Sequence, residues 1–393
     1  MRLNGRLNGM RGAAGLAAFA LAAILAAGPG PARAAEPIKI GVPGPLSGPY
    51  ANAGIDIVNA AKLAADQINA KGGILGRQIA IVAEDDACDA QTAVQAAQKM
   101  IDSGVVAVAG GYCSGAALPE LSTLHRSNIP YVLDASTNPQ LTELGYKDVF
   151  RTIGRDDEQG PFAASFIANV LHAKRAAVIN DNTTYAKGLA VATVAALKKL
   201  GVDVVYNNAI TPGQMDYSPV LTRVAALNPD VIYFTGYFAE GGLMVKEARQ
   251  LNLKLAFMGG DGNNDPTLLK TAGPAADGMF ITCAPLPQFL SGAKGFVDDY
   301  TQKFGHGPGP YSAYEYDAIG VVAKAITDAK STAPAAINAA LAQIRDYPGI
   351  TGSISFNEKG DRSVAVYIVI TVKNDQFAPY MRLNAQGQWV SMQ

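Results

Sequence analysis

The sequence predicts an α/β protein with two doubly wound parallel-sheet lobes, and three observations lead to this fold class. From residue 38 onward, short β-branched runs alternate with Ala-rich amphipathic stretches. The chain has 393 residues, more than one hydrophobic core usually organises. Turn-rich breaks at residues 151–160 and 284–288 divide the alternation into separate series. A cleft for a small ligand is therefore expected between the lobes, at the carboxyl ends of strands.

The β-branched runs are the predicted strands. They span residues 38–42, 79–83, 105–109, 131–133, 176–179, 204–206, 231–234, 255–258 and 279–282, followed after the second break by 353–356 and 364–372. Strand, helix and strand repeated in this order are typical of parallel sheets with helices on both faces.

Amphipathic helices are predicted between these strands. In residues 54–70, apolar side chains recur at helical spacing until Gly72 and Gly73 stop the helix. After the second break, helices are predicted at residues 295–304, 311–329 and 334–344, and a proline suits the first turn of the last one.

The first residues indicate an export signal. Arg2, Arg6 and Arg11 precede an uncharged, Ala-rich run at residues 12–27, and residues 32–34 form a small-x-small cleavage site. Residues 1–34 are therefore predicted to be removed as a signal peptide, which places the mature protein in the periplasm.

A membrane anchor is the alternative interpretation of this segment. Glycines and prolines at residues 28–31 break the apolar run short of the roughly 20 residues that a span needs. No cysteine lies near the cleavage site, which disfavours a lipid anchor. Cleavage is the preferred interpretation.

The charge of the mature chain argues against a nucleic-acid partner. Residues 1–34 hold four arginines and no acidic residue, so their removal leaves 28 basic against 33 acidic residues. The basic residues are scattered, with no Arg-rich stripe. The mature protein is therefore predicted to be mildly acidic. We also expect it to be a monomer.

Three cysteines occur, Cys88, Cys113 and Cys283. An oxidising periplasm allows two of them to pair, and a bridge between the first two would stabilise the fold by at most roughly 3.5 kcal/mol. Cys283 lies in the apolar run GMFITCAP and is predicted to be a buried hydrophobe. No zinc spacing of Cys and His occurs, and neither a metal nor a cofactor is expected.

The sequence lacks the motifs of common enzyme classes. No G-x-G-x-x-G, P-loop, H-E-x-x-H or G-x-S-x-G motif follows a predicted strand. The three histidines, His125, His172 and His306, lie in separate contexts without a partner pattern. A binding protein is therefore favoured over an enzyme.

Small hydroxyl residues follow two neighbouring strands. GYCSG, which contains Ser114, opens a predicted helix, and DASTNP contains Ser136 and Thr137. The free N–H groups at a helix N-terminus, helped by a hydroxyl, can bind a carboxylate. The alternative is that Ser114 and Ser136 only cap helices.

A second set of junctions carries Tyr185, Tyr237 and Asp261. Glycines flank Asp261, and their small size would let the backbone approach a ligand closely. Taken singly, each tyrosine is more simply explained as core or surface filler, and Asp261 as a turn residue.

Several motifs occur in order along almost the whole mature chain. They are IKIGVPGPLSGPYANAG, INAKGGILGR, DDACD, GYCSG, DASTNPQLTELGY, FRTIGRDDEQGP, TTYAKGLA and FNEKGD. Together they resemble the branched-chain amino-acid binding proteins of bacterial ABC transporters, the Leu/Ile/Val-binding family of type I periplasmic receptors.

The resemblance implies two lobes joined by three crossovers, and no catalysis. The first lobe would comprise residues 35–153 and 288–357, and the second residues 154–287 and 358–393. The partners implied are a small-molecule amino acid and the membrane subunits of an ABC transporter.

The resemblance also implies roles for site residues in the first lobe. Ser114 matches the serine that holds the ligand carboxylate, helped by Ser136 and Thr137. Ala135 matches the carbonyl that accepts from the ammonium group.

In the second lobe, Tyr185 and Tyr237 match aromatic residues that close over the ligand, and Asp261 matches the acid that pairs with the ammonium. The family's disulfide falls on Cys88 and Cys113.

Two departures from the family bear on the ligand. Asp261 stands where the Leu/Ile/Val binders commonly have Glu, and Ala53 stands where the family often has an aromatic residue. Ala53 would open the pocket wall, whereas Tyr112, next to the carboxylate site, would fill it. We expect Tyr112 to dominate, which predicts a small or branched aliphatic amino acid.

Other functions remain open at this stage. The ligand could instead be an aromatic or keto acid, an amide or urea. The chain could also deliver its ligand to a chemoreceptor. From another class, an enzyme of amino-acid metabolism is the alternative.

Overall fold

The computed structural model describes residues 36–392. The predicted signal peptide therefore lies outside the described residues. Residues 37–392 form one compact unit. Among residues 36–392, no helix combines the length and the apolar character that a membrane crossing requires.

The strands follow one another in the order β1 Ile38–Gly44, β2 Ile79–Asp85, β3 Ala107–Gly110, β4 Tyr131–Leu133, β5 Val149–Arg151, β6 Arg175–Asn180, β7 Asp203–Ala209, β8 Val231–Phe234, β9 Ala256–Gly259, β10 Phe280–Cys283, β11 Tyr347–Gly349, β12 Gly352–Ile354, β13 Ile368–Lys373, β14 Gln376–Leu383 and β15 Trp389–Ser391.

The α-helices are α1 Ala51–Ala70, α2 Ala90–Ser103, α3 Ser114–Arg126, α4 Gln140–Glu143, α5 Asp156–Asn169, α6 Thr184–Lys199, α7 Ser218–Ala225, α8 Phe238–Gln250, α9 Pro266–Ala272, α10 Lys294–Phe304, α11 Ser312–Ala329 and α12 Pro334–Leu341.

Two large sheets organise these elements. The first is wholly parallel, with strand order β2-β1-β3-β4-β5. The second has the order β15-β14-β13-β10-β9-β8-β6-β7, and β6 to β10 within it are parallel. The predicted α/β class with mostly parallel sheets is confirmed. The antiparallel edge formed by β13, β14 and β15 was not predicted.

Burial explains why the parallel strands are nearly continuous apolar runs. Ile38, Ile40 and Val42 of β1 have no exposed surface, and neither do the four residues of β8. Strands in the middle of a parallel sheet are covered by helices on both faces, so both sets of alternating side chains must be apolar.

The chain passes between the two sheets three times. Residues 152–155 lead from β5 to α5, residues 284–293 lead from β10 to α10, and residues 355–367 lead from β12 to β13. After the second passage, α11 packs on α1 and over β3 and β4 of the first sheet. These passages agree with the three crossovers that the resemblance implies.

Candidate functional site

The predicted site residues lie just beyond the carboxyl ends of strands from both sheets. Tyr112 and Ser114 follow β3, Ala135 to Thr137 follow β4, Tyr185 lies in the first turn of α6, Tyr237 directly precedes α8, and Asp261 follows β9. The carboxyl ends of parallel strands are where α/β folds bind small ligands.

Asp261 is held in a buried position by two tyrosine hydroxyls. The Tyr185 hydroxyl donates to Oδ1 of Asp261 at 2.7 Å, and the Tyr311 hydroxyl donates to Oδ2 at 3.1 Å. The side chain of Asp261 is only 3% exposed. The Tyr185 hydroxyl in turn accepts from the N–H of Gly262 at 2.9 Å, which fixes its orientation.

Burial raises the pKa values of two carboxyl groups at this position, Asp261 and Asp156. Burial raises the pKa of the Asp261 carboxyl, whereas the Tyr185 hydroxyl lowers it. Burial, and then the charge of Asp261, raise the pKa of Asp156 well above its usual range. An ammonium group beside Asp261 would favour the ionised carboxylate, because an opposite charge stabilises it.

The glycines beside Asp261 have a role that the sequence did not predict. A Cβ atom on Gly260 would lie 2.9 Å from the Tyr185 hydroxyl oxygen, and one on Gly262 would lie 3.0 Å from Cε1 of Tyr185. The absent side chains therefore make room for Tyr185. That these glycines also let the backbone approach a ligand closely stays a prediction.

Tyr237 contacts the other two predicted tyrosines. The ring centroid of Tyr237 lies 5.0 Å from that of Tyr185 and 5.6 Å from that of Tyr112. The Tyr112 ring also contacts the Tyr311 ring edge-on, at 5.6 Å. Tyr185, Tyr237 and Tyr112 are all buried. The structure thus joins residues from both sheets into one aromatic cluster around Asp261.

Asn138 connects the hydroxyl junctions with the second sheet. Its backbone N–H donates to Oγ of Ser114 at 3.3 Å, and its side-chain Nδ2 donates to the Thr184 carbonyl at 2.7 Å. Thr184 directly precedes Tyr185. The loop after β4 therefore contacts both α3 and the start of α6.

Neither serine caps a helix, so that alternative was wrong. Cys113 occupies the N-cap position of α3 and makes no side-chain cap, while Pro139 occupies that of α4. Ser136 instead donates from Oγ to the Gly111 carbonyl at 2.8 Å and so ties the loop after β4 to the loop after β3. Its hydroxyl is already used in the fold.

Ala135 and Thr137 complete the loop after β4, and both are buried. The carbonyl of Thr137 accepts from the backbone N–H of Asp156 at 3.1 Å. The loop is thereby tied to the first turn of α5.

A buried arginine supports the same loop. Arg151 has no exposed surface, and its Nη1 donates to the carbonyls of Ser136 and Asn138, both at 3.1 Å. Its Nε lies 3.0 Å from Oδ1 of Asp361, which belongs to the FNEKGD motif. A carboxylate opposite a buried guanidinium offsets the cost of burying the charge.

The cysteine predictions are confirmed. Cys88 and Cys113 form a disulfide with a Cα–Cα distance of 5.4 Å, which links the loop after β2 to the loop that enters α3. Cys283 is free and has no exposed surface. Among residues 36–392, no group of three or more His, Cys, Asp or Glu residues is placed to hold a metal ion.

Comparison with known proteins identifies the family. The sequence profile of a family described as periplasmic binding protein matches residues 37–376. The chain belongs to this periplasmic binding protein family. The predicted resemblance is thereby confirmed.

Relatives of this periplasmic binding protein carry names that refer to amino acids. An amino acid binding protein of Pseudomonas aeruginosa is 36% identical over 84% of this chain and 89% of its own length. A leucine-specific-binding protein of Salmonella typhimurium is 35% identical over 83% of this chain and 88% of its own length.

Solved structures of similar fold also include amino-acid binding proteins. A leucine binding protein from Thermotoga maritima superposes with a TM-score of 0.84 and 31% identity, covering 89% of this chain and all of that one. A branched-chain amino acid transporter substrate binding protein from Streptococcus pneumoniae, in complex with isoleucine, gives 0.81 and 29%, covering 87% and 97%. The type I periplasmic binding protein fold is confirmed.

Sequence reasoning missed three residues of the site region. The sequence placed Tyr311 at the start of a predicted helix and Arg151 in a turn-rich break, and it assigned neither a role at the site. Tyr50 was part of the first family motif and was given no role either. Nothing local in the sequence shows that Tyr311 reaches Asp261, because the two residues are 50 positions apart.

Proposed function

We propose that the protein is a periplasmic receptor that binds a small or branched aliphatic amino acid and delivers it to an ABC transporter. The observation that carries the proposal is the buried Asp261 carboxylate, which is oriented by the hydroxyls of Tyr185 and Tyr311 and surrounded by aromatic rings. The names of the similar proteins, which refer to leucine, isoleucine and amino acids, support this ligand class.

The ligand carboxylate binds beside the N-terminus of α3. Ser114 is the first residue of that helix, whose first N–H groups have no partner within the helix and carry partial positive charge. Ser114, together with groups of Ser136 and Thr137, holds the carboxylate, and the Ala135 carbonyl accepts from the ammonium group.

The ammonium group pairs with Asp261. A buried cation without a counter-charge is costly, and the Asp261 carboxylate supplies one negative charge at the site. Aspartate is shorter than the glutamate common at this position, and the two tyrosine hydroxyls hold it in place.

Closure of two lobes over the ligand would enclose it between these groups. The first lobe comprises residues 35–153 and 288–357, and the second comprises residues 154–287 and 358–393. The amino acid binds the first lobe, and Tyr185, Tyr237 and Asp261 of the second lobe then close over it, with the three connecting segments as the hinge.

The remaining partners follow from this role. The closed form is the one that the membrane subunits of the transporter recognise, and the receptor acts as a monomer. Cleavage of residues 1–34 releases it into the periplasm. The receptor catalyses no reaction, so purified protein should leave every amino acid unchanged.

A thermal-shift screen tests the proposal. The mature protein is melted with each of the twenty amino acids, and with related keto acids, amides and urea. A ligand that binds only the folded state at roughly a hundred times its Kd stabilises it by about 2.7 kcal/mol. Valine, leucine or isoleucine should give the largest shifts. A screen in which urea, an amide or an aromatic acid shifts the melting temperature and no amino acid does would overturn the proposal.

A further inference from the structure

The ring of Tyr50 joins the two sides of the candidate site. Tyr50 directly precedes α1, which packs on the first sheet. Its ring centroid lies 4.9 Å from that of Tyr237 and 5.6 Å from that of Phe238, and both of these residues follow β8 of the second sheet. It also lies 6.2 Å from that of Tyr112, which follows β3 of the first sheet.

Tyr50 lies one helical turn before Ala53. Ala53 is the position at which the sequence predicted an opening in the pocket wall. The backbone N–H of Ala53 donates to the Tyr50 carbonyl at 3.0 Å, so the two residues share one helical turn. Ala53 is 4% exposed, whereas Tyr50 is half-buried. A large ring is therefore present close to the position that Ala53 leaves small.

The backbone around Tyr50 is held in place. A Cβ atom on Gly54 would lie 1.9 Å from the Pro45 carbonyl oxygen, so the first turn of α1 packs directly on the segment that follows β1. Leu46, next to Pro45, donates its backbone N–H to Oδ1 of Asp85 at 2.8 Å. Tyr50 is thus attached to a segment that is fixed at both ends.

The hydroxyl of Tyr50 stays protonated. Burial raises the pKa of this phenol, and the carboxylates of Glu240 and Asp181 raise it further. Both carboxylates belong to the second-sheet side, at α8 and after β6. A neutral phenol packed on apolar rings offers a ligand an apolar wall rather than a charge.

We propose that Tyr50 is a specificity-determining residue that limits the size of the ligand side chain. Its ring packs over Tyr112 and Tyr237 and restores, from a different position, the wall that Ala53 leaves open. The inference rests on the proposed function, since it concerns the side-chain pocket of the same site. The ring should admit side chains up to the size of that of leucine and exclude that of phenylalanine.

Isothermal titration calorimetry with valine and phenylalanine tests this inference. The proteins are wild type, Tyr50→Ala, Tyr50→Leu and, as a matched control, Tyr146→Ala. Tyr146 is also half-buried, but its ring stacks on His125 at 3.9 Å, away from the site. The ratio of the phenylalanine Kd to the valine Kd should fall about tenfold or more in Tyr50→Ala, and less in Tyr50→Leu. Tyr146→Ala should keep the wild-type ratio.

The outcomes separate this inference from the proposed function. If wild type binds valine but both Tyr50 variants keep its ratio within about twofold, Tyr50 does not limit size and only this inference fails. Wild type that prefers phenylalanine to valine would also overturn it. Wild type that binds no amino acid would overturn the proposed function, and this inference with it. Melting curves show whether each variant is folded.

Discussion

Asp261 combines two properties that suit a receptor for an ammonium group: it is buried, and its two oxygens accept from Tyr185 and Tyr311. Burial raises the pKa of its carboxyl, and a ligand cation beside it would favour the ionised form. The two hydroxyls orient the carboxylate, and pairing with a ligand cation would compensate for the loss of water around it.

Asp261→Ala should abolish amino-acid binding while the protein still folds. Removing one partner of a buried charge pair typically costs roughly 3–5 kcal/mol, which weakens binding more than a hundredfold. Calorimetry measures the affinity, and a melting curve checks the fold. Asp203→Ala, at a solvent-exposed carboxylate that pairs with Arg175, is the matched control and should bind normally. An Asp261→Ala variant that binds as tightly as wild type would mean that the ligand has no amino group at this position.

Tyr112→Ala should admit larger side chains, such as that of phenylalanine. The Tyr112 ring is buried against Tyr237 and Tyr311, two residues before Ser114, so its removal leaves space beside the proposed carboxylate site. The phenylalanine affinity of the variant, measured by calorimetry, should rise by about tenfold or more relative to that of valine. If wild type already prefers phenylalanine or tyrosine to valine, Ala53 decides the pocket size and our ranking of the two positions is wrong.

At the residue scale, the sequence predicted the groups that follow strands better than those that reach the site from elsewhere. Tyr185, Tyr237 and Asp261 follow β-branched runs, and the carboxyl ends of parallel strands converge. Tyr311 and Tyr50 lie beside helices that pack on the first sheet, and only the fold brings them near Asp261 and Tyr237. The ligand-binding roles of all the predicted site residues stay predictions: Tyr112, Ser114, Ala135, Ser136, Thr137, Tyr185, Tyr237 and Asp261.

Among the elements, buried parallel strands were the easiest to predict. The strands at 131–133 and 231–234 have the predicted bounds, since fully buried strands are short apolar runs flanked by turn residues. The antiparallel edge was harder. β14 contains Pro379, a residue that argues against a strand, and Pro379 lies at an irregularity in its pairing with β13.

The turn between β13 and β14 shows what was overlooked. Asn374 and Asp375 both have positive φ, 52° and 56°. Two consecutive residues of this kind are typical of a type I′ hairpin turn, which Asn and Asp tolerate better than other side chains. An Asn-Asp pair after a β-branched run could therefore have predicted the hairpin.

The disulfide fixes two loops on one side of the first sheet, and its removal should lower stability. The bridge closes a chain segment with a sequence separation of 25 residues, so losing it costs at most roughly 3.5 kcal/mol. Denaturant unfolding of the Cys88→Ser, Cys113→Ser double variant measures this loss. Mass spectrometry of non-reduced peptides should show Cys88 joined to Cys113 and Cys283 free. A bridge that includes Cys283 would contradict the structure.

At the scale of the whole molecule, the sequence predicted two parallel sheets and three passages between them. The strands at 38–151 and at 175–391 separate into the two large sheets, apart from the small β11-β12 ribbon. The exact lobe boundaries stay a prediction, because residues 37–392 form one compact unit.

Because several carboxyl groups are buried, we expect the free energy of unfolding to fall as the pH rises. Burial raises the pKa of Asp86 to about 6. It raises the pKa values of four further carboxyl groups well above their usual range: Glu120, Asp134, Asp156 and Glu315. Between the ordinary and the raised values, the folded state binds more protons than the unfolded state, so raising the pH destabilises it.

Thermal unfolding at constant ionic strength tests this pH dependence. The melting temperature should be higher at about pH 5 than at about pH 8, since that interval covers much of the range above the ordinary carboxyl pKa. The carboxyls with lowered pKa, such as Glu143 and Asp216, act in the opposite direction only below about pH 4. A melting temperature that rises steadily from the lower to the higher pH would contradict the account.

The central claim is that Asp261 recognises the ammonium group of an amino acid, and one comparison tests it most directly. Calorimetry at neutral pH measures wild-type affinity for valine and for the 2-oxo acid with the same side chain, which lacks only the amino group. Valine should bind at least about a hundredfold more tightly than the oxo acid, because the oxo acid leaves the buried Asp261 carboxylate without a counter-charge. Equal affinity, or tighter binding of the oxo acid, would contradict the claim.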